Sequence, residues 1–398
     1  MSRPRFLTAI AVSAVVCDGL QGLYAADNIT PAHLVFEWLL VEGYAREGRD
    51  DEILRTPGIL KAREAKRAGV RMSAKSYLKV PTVFGFHGVY KRLATNLRIV
   101  DEDYSLGDNG YALVKVWEEE QGLAGFIDSA LPRQSTLNLK RVLRSAVEEG
   151  LARGYTERGG GWQGWRFFAE RLAPARIGAR EAHYIRQLLL DPSGDRREEV
   201  FRLLELPRNL HLADEGSEAV MIRNLLPQAS PGLTTRLKAI TAFEAACACV
   251  EDAFDWLRYL STLSPARALS RSEFTSVDVV RRTASALGGR LSAAERLLDD
   301  APSQAQEKFA ELAAYFTQVR SADDLFDAVL RRHSAVQRTK PPEGKREWFE
   351  HAADGGVYVR SDYRLDVRPA PRDWWPRPYR LLTASNFCDD LNHPDGRK

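Results

Sequence analysis

Val83-Phe84-Gly85-Phe86-His87-Gly88-Val89-Tyr90-Lys91-Arg92-Leu93-Ala94-Thr95-Asn96-Leu97-Arg98-Ile99-Val100 reads as a helix that runs directly into a strand. Phe86, Val89, Tyr90, Leu93 and Leu97 recur at helical spacing and predict one buried face. His87, Lys91, Arg92, Thr95 and Asn96 fall on the opposite face, which is basic and amide-bearing. The strand seed Arg98-Ile99-Val100 meets the acidic turn Asp101-Glu102-Asp103. After Tyr104-Ser105-Leu106, Asp108 stands where it caps an amphipathic helix from Tyr111 to Glu120.

In this order of helix, short ribbon and helix, residues 80–120 resemble the second half of a winged helix-turn-helix domain, with Val89 to Leu97 in the place of the recognition helix. Such helices lie in the major groove and offer Arg, Lys and Asn side chains to base edges and phosphates. The resemblance implies that Lys91, Arg92, Thr95, Asn96 and Arg98 face double-stranded DNA, with His87 on the same face. The turn Asp101-Glu102-Asp103 departs from the pattern, because three carboxylates at a wing tip repel phosphates. Groove reading by the helix is therefore expected, and insertion of the wing is not.

Upstream, Ile53 to Lys79 carries Lys61, Arg63, Lys66, Arg67, Arg71, Lys75 and Lys79 at near-helical intervals broken by Gly69. This is the densest positive charge in the chain. It precedes the recognition-like helix, where a nucleic-acid footprint gathers, so Lys75 and Lys79 join the candidate contacts. A run of this kind also serves simply as a solvated face.

The 398 residues are long enough for two or three domains. With 44% hydrophobic and 28% charged residues, the composition is that of a globular protein rather than a disordered chain. A formal charge of only +3 provides no global basic field, so any nucleic-acid surface must be local. Cys17, Cys247, Cys249 and Cys388 make neither a disulfide framework nor a zinc pattern. Cys247 and Cys249 fall in an apolar stretch that reads as buried helix.

Arg3 and Arg5 before the apolar run Phe6 to Cys17 imitate an export signal. Val16 is too large for the position before a lipid-acceptor cysteine, and the run is too short to span a membrane. Phe6 to Leu23 is expected to be the first core helix, and the location cytoplasmic, without membrane contact.

The expected fold is mainly α. It comprises a winged-helix-like domain over 1–125, a helical bundle or array over 126–338, and a Pro/Trp-rich extension with short strands over 339–398. Pro31 opens a helix near Asn28 or Thr30, and Leu137 to Arg153 is amphipathic. The glycine-flanked Trp162 and Trp165 are expected to close over the neighbouring core, since the glycines lack the strand and Lys-Ser or Lys-Thr of a P-loop. Breaks are expected at Pro207, Pro227, Pro231, Pro265, Gly288-Gly289 and Pro302. In the extension, Gly356 to Arg360 and Tyr363 to Leu365 alternate as strands. Trp374, Trp375 and Tyr379 are its candidate partner-binding side chains, either folding back on the chain or docking on another subunit.

No catalytic residue, metal ligand or cofactor is assigned. Glu251, Asp252 and Asp255, Asp299 and Asp300, and Asp323, Asp324 and Asp327 read as helix starts or solvated faces. Glu343-Gly344-Lys345 matches the end of a metal-dependent nuclease motif but follows Pro341-Pro342 in a loop. The chain therefore reads as a non-enzymatic DNA-binding subunit. In general organisation it resembles the accessory subunits of bacterial multi-protein DNA-processing or phage-defence assemblies, which implies other protein subunits as partners. The alternatives are an interaction scaffold whose winged helix binds protein and, more weakly, a nuclease.

Overall fold

The computed structural model describes residues 3–128, 134–191, 197–210, 212–299, 301, 303–341, 343–370, 377 and 379–394. They are mainly helical, with one two-stranded sheet. The chain divides into two compact units, Met1–Asp214 with Arg380–Lys398, and Glu215–Tyr379. This differs from the three consecutive segments expected from composition, because the last helix packs on the N-terminal unit and the strands before it belong to the second.

The first unit contains α1 (Phe6–Val16), α2 (Ala32–Glu47), α3 (Ile59–Arg67), α4 (Pro81–Phe84), α5 (Phe86–Asn96), α6 (Asp108–Glu120), α7 (Gln134–Arg153), α8 (Gln163–Arg171), α9 (Ala179–Leu189) and α10 (Arg197–Leu204). Every residue of α1 is buried, as a helix apolar on all sides requires. It ends at Val16, short of the expected Leu23, and Pro31 lies just before α2 as its cap. Each charge taken into this core has a partner. Arg5 lies 3.3 Å from Glu181, which also accepts the Thr8 hydroxyl at 2.5 Å, and Glu42 accepts Thr156 at 2.6 Å. Trp162 and Trp165 meet edge to face at 4.7 Å with Trp165 buried, so the pair closes the core.

The second unit contains α11 (Glu218–Leu225), α12 (Pro231–Leu263), α13 (Arg271–Thr275), α14 (Asp278–Leu298), α15 (Ser303–Ala313) and α16 (Ala322–Thr339). Ser230 opens α12 by accepting the Leu233 N–H at 3.3 Å. The helix then runs 33 residues, with Cys247 and Cys249 buried along it. Gly288 and Gly289 do not interrupt α14. Their side of the helix is open, whereas Ala284, Leu287, Leu291 and Ala294 hold the other side in the core. Packing outweighs the propensity cost of two glycines, about 1 kcal/mol each.

Strands β1 (Phe349–His351) and β2 (Val357–Val359) pair antiparallel, and Val357 also bridges to Leu269. Tyr363 ends a short 3-10 turn instead of starting a strand, and its ring stacks on Trp348 at 4.5 Å. The Tyr379-Arg380-Leu381 stretch forms no strand. It leads into α17 (Leu381–Asn392), whose apolar side packs on α9 and α10 of the first unit. No described helix is long and apolar enough to cross a membrane.

Candidate nucleic-acid interface

Helix α5 begins one turn earlier than the expected Val89 and is preceded by α4, with Gly85 between them. Gly85 has no side chain to cap the helix. The carboxylate of Glu37, from α2, does so instead, accepting the His87 backbone N–H at 3.0 Å at the positive end of the helix dipole. A Cβ on Gly85 would lie 2.0 Å from Glu37 Oε1, so this capping requires glycine there.

Glu37 also accepts from His87 Nδ1 at 2.9 Å and from the Tyr77 hydroxyl at 2.7 Å. His87 Nε2 lies 3.1 Å from Ser13 Oγ in α1. The proton on Nδ1 faces the carboxylate, leaving Nε2 to accept from Ser13. His87 is therefore wholly buried, contrary to the expected surface position, because the Glu37 carboxylate from α2 and the Ser13 hydroxyl from α1 satisfy it inside the core. The Ser13–His87–Glu37 connectivity is that of a hydrolytic triad. Its setting excludes that chemistry: Ser13 is 1% exposed within α1, where the backbone N–H groups are engaged in the helix and provide no oxyanion hole. The trio is a strut that sets the pose of α5.

Burial pushes the Glu37 carboxyl up to about 7 against the pull of its donors, and pushes His87 down to about 3. His33, stacked on Tyr104 at 4.0 Å, is held down at about 2 by burial and then by His87 and Lys91. Both imidazoles titrate below their ordinary 6.5, so beneath that pH the unfolded chain binds two protons that the fold refuses. Each contributes a loss of up to about 1.4 kcal/mol per pH unit. Glu37 opposes them between about 7 and its ordinary 4.5, where the fold keeps a proton that the unfolded chain has lost. Together these three groups are expected to contribute a loss of stability with a slope of about one proton from pH 6.5 to 4.5, and a steeper one below. Urea titrations across this range should show the slope, and His33→Gln should flatten it.

At the other end of α5, Asn109 Nδ2 donates to the Leu97 carbonyl at 2.8 Å, and Arg98 turns the chain with φ at 54°. The expected ribbon is reduced to one antiparallel bridge, Val100 to Leu106. Gly107 rather than Asp108 caps α6, and Asp108 is the first residue of that helix. Between α5 and α6 the chain thus forms a bridged turn in place of the expected two-stranded ribbon.

The basic residues separate into two groups. In the upstream run only Ile59–Arg67 is helical, and its charge is largely engaged within the protein. Lys61 pairs with Glu64 at 2.8 Å and Arg63 with Asp50, while Lys66 and Arg71 donate to the carbonyls of Ala45 and Arg158. Lys91 is engaged too. It meets the Glu102 carboxylate at 3.1 Å and carbonyl at 2.8 Å, strapping the acidic turn to α5. Thr95 is half-buried with its hydroxyl enclosed.

Lys75, Lys79, Arg92 and Arg98, by contrast, are exposed and have no carboxylate partner among the described residues; Asn96 is exposed as well. Gly88, Arg92 and Asn96 succeed one another by single turns along one side of α5. Of the eight candidate contacts, the structure thus leaves these five available and turns His87, Lys91 and Thr95 to structural duty. Glu37, Ser13 and Tyr77, which orient the face, had escaped the sequence reading. The one signal for them was a carboxylate within the apolar run Leu34 to Val41.

Tyr379 donates its hydroxyl to Glu244 at 2.5 Å, a contact within the second unit. Trp374 and Trp375 lie outside the described residues. Among those residues no group of three or more His, Cys, Asp or Glu is arranged to hold a metal ion. No family model, no curated protein and no solved structure matches the chain.

Proposed function

We propose that the protein binds duplex DNA without catalysing a reaction on it, using the exposed side of α5 with Lys75 and Lys79. The observation that carries this reading is that Lys75, Lys79, Arg92 and Arg98, on α5 and in the segment leading to it, are exposed and have no carboxylate partner among the described residues. An exposed surface holds unneutralised cations at little cost, and phosphates are the ligand that such a set fits. Asn96, exposed one turn after Arg92 on α5, reads an adenine edge in this proposal. The acidic turn stays off the backbone, its charge offset only in part by Lys91.

Four phosphate contacts predict a logarithmic salt slope of about −3.6, an affinity loss of roughly a hundredfold between about 50 and about 200 mM salt. Fluorescence anisotropy with a labelled duplex measures it directly. A flat salt response or no binding would end this reading.

A second reading, a protein-interaction scaffold, draws on the second unit. There an apolar cleft of about 330 Å³ lies among α12, α14 and α15, lined by Ala239, Ile240, Phe243, Leu297 and Leu298. It suits an apolar anchor from another subunit, as expected of a member of a DNA-processing or phage-defence assembly. Both roles fit one chain, the first unit on DNA and the second on its partners.

A further inference from the structure

Cationic contact with DNA leaves the segment before α5 unexplained. Val80, Val83 and Phe84 are 43%, 53% and 62% exposed, three large apolar side chains within five residues. A single exposed apolar residue is ordinary, but a cluster on one turn marks an interaction surface. The turn is firmly built. The N–H groups of Val83 and Phe84 donate to the Val80 carbonyl at 3.1 and 3.0 Å, and that of Gly85 to the Pro81 carbonyl at 2.8 Å.

Its placement ties it to the cationic face. A Cβ on Gly88 would lie 2.2 Å from the Thr82 carbonyl oxygen, so α4 rests directly on the Gly88 turn of α5. Arg92 and Asn96 occupy the next two turns of that side. Lys79 and Lys75 precede α4 in the chain, exposed and without carboxylate partners among the described residues. The buried Glu37 holds the junction at Gly85 in place.

We propose that Val83 and Phe84 form a wedge that enters the base stack of the bound duplex, unstacking one step and bending the helix axis. The proposal rests on the DNA-binding reading. Rigid apolar tips beside side chains that hold phosphates meet the requirements of such insertion, since the cost of unstacking is offset by apolar burial and by backbone contacts that the bend brings within reach. Exposed cations adjoin α4, Lys79 directly before it in the chain and Arg92 one turn beyond Gly88 on α5, and they favour a polyanion as the occupant over a neutral protein groove. The α5 N-terminus plays no part in phosphate binding, because Glu37 already takes its donors.

The test compares the full chain on two labelled duplexes, one perfectly paired and one carrying a central bulge of two unpaired nucleotides, where the unstacking cost is already met. Wild-type protein is expected to favour the bulged duplex by about tenfold and to shorten the end-to-end distance of the perfect one in energy-transfer measurements. Val83→Ser/Phe84→Ser should keep its melting temperature, lose the preference and the bend, and bind perfect duplex within about threefold of wild type. Binding to perfect duplex with no bulge preference, or a preference that survives in the variant, overturns the wedge and leaves the DNA reading intact. No binding to either duplex overturns both. Unchanged DNA behaviour with loss of a co-purifying protein would assign the patch to a protein contact, which also overturns the wedge.

Discussion

Arg92→Glu/Arg98→Glu is expected to lower affinity for duplex DNA by about a hundredfold or more at low salt and to reduce the salt slope by about two. Both side chains are exposed and lack carboxylate partners among the described residues, so the substitution breaks no internal ion pair and should leave the melting temperature unchanged. Each reversal removes one released counterion and adds a charge that repels the backbone, so the double variant loses more than twice the effect of neutralisation. Lys91→Ala provides the contrast. Its ammonium already meets Glu102, so its loss frees a carboxylate near the face and should weaken binding less than fivefold or so. Anisotropy titrations of the three proteins decide the matter. An affinity unaltered by the double reversal would remove α5 from any DNA contact.

Glu37→Ala is expected to destabilise the first unit by about 3–5 kcal/mol. The substitution leaves the Tyr77 hydroxyl, the His87 ring and the His87 backbone N–H without their acceptor inside the core. Against a typical domain stability of about 5–15 kcal/mol, such a loss brings the unit near its folding threshold. Glu37→Gln keeps an acceptor oxygen and the volume, and should cost about 1–2 kcal/mol, because its amide N–H₂ then faces a donor. Urea denaturation followed by circular dichroism measures both variants. Hydrogen exchange adds a local readout, since the amides of α5 should lose protection first in the glutamine variant. Equal stability of all three proteins would mean that the buried network contributes nothing to the pose of this helix.

Much of the fold was legible because it rests on short-range periodicity. Phe86, Tyr90 and Leu97 did predict the buried side of α5, and the apolar run after Arg5 did predict a core helix. Turn chemistry was read less well. Gly288-Gly289 looked like a break, yet Leu287 and Leu291 on either side tie α14 into the core. Tyr363 to Leu365 looked like a strand, yet Tyr363 ends a 3-10 turn with its ring stacked on Trp348. In each case tertiary burial outweighed a local preference worth about 1 kcal/mol or less.

The candidate interface divides along the same line. By itself the sequence determined which residue types lie along α5 and in what order, because helical spacing is a local property of the chain. It also determined that α6 follows α5 after a short turn. Only the tertiary structure decided which cations are available. Asp50, Glu64 and Glu102 neutralise neighbours of the run and of α5, whereas Lys75, Lys79, Arg92 and Arg98 have no such carboxylate among the described residues. It likewise decided that His87 is a core residue, since its partners Ser13 and Glu37 stand 74 and 50 positions away. Charge and burial depend on what converges in space, and the pairing of groups so far apart leaves no periodic trace in the chain.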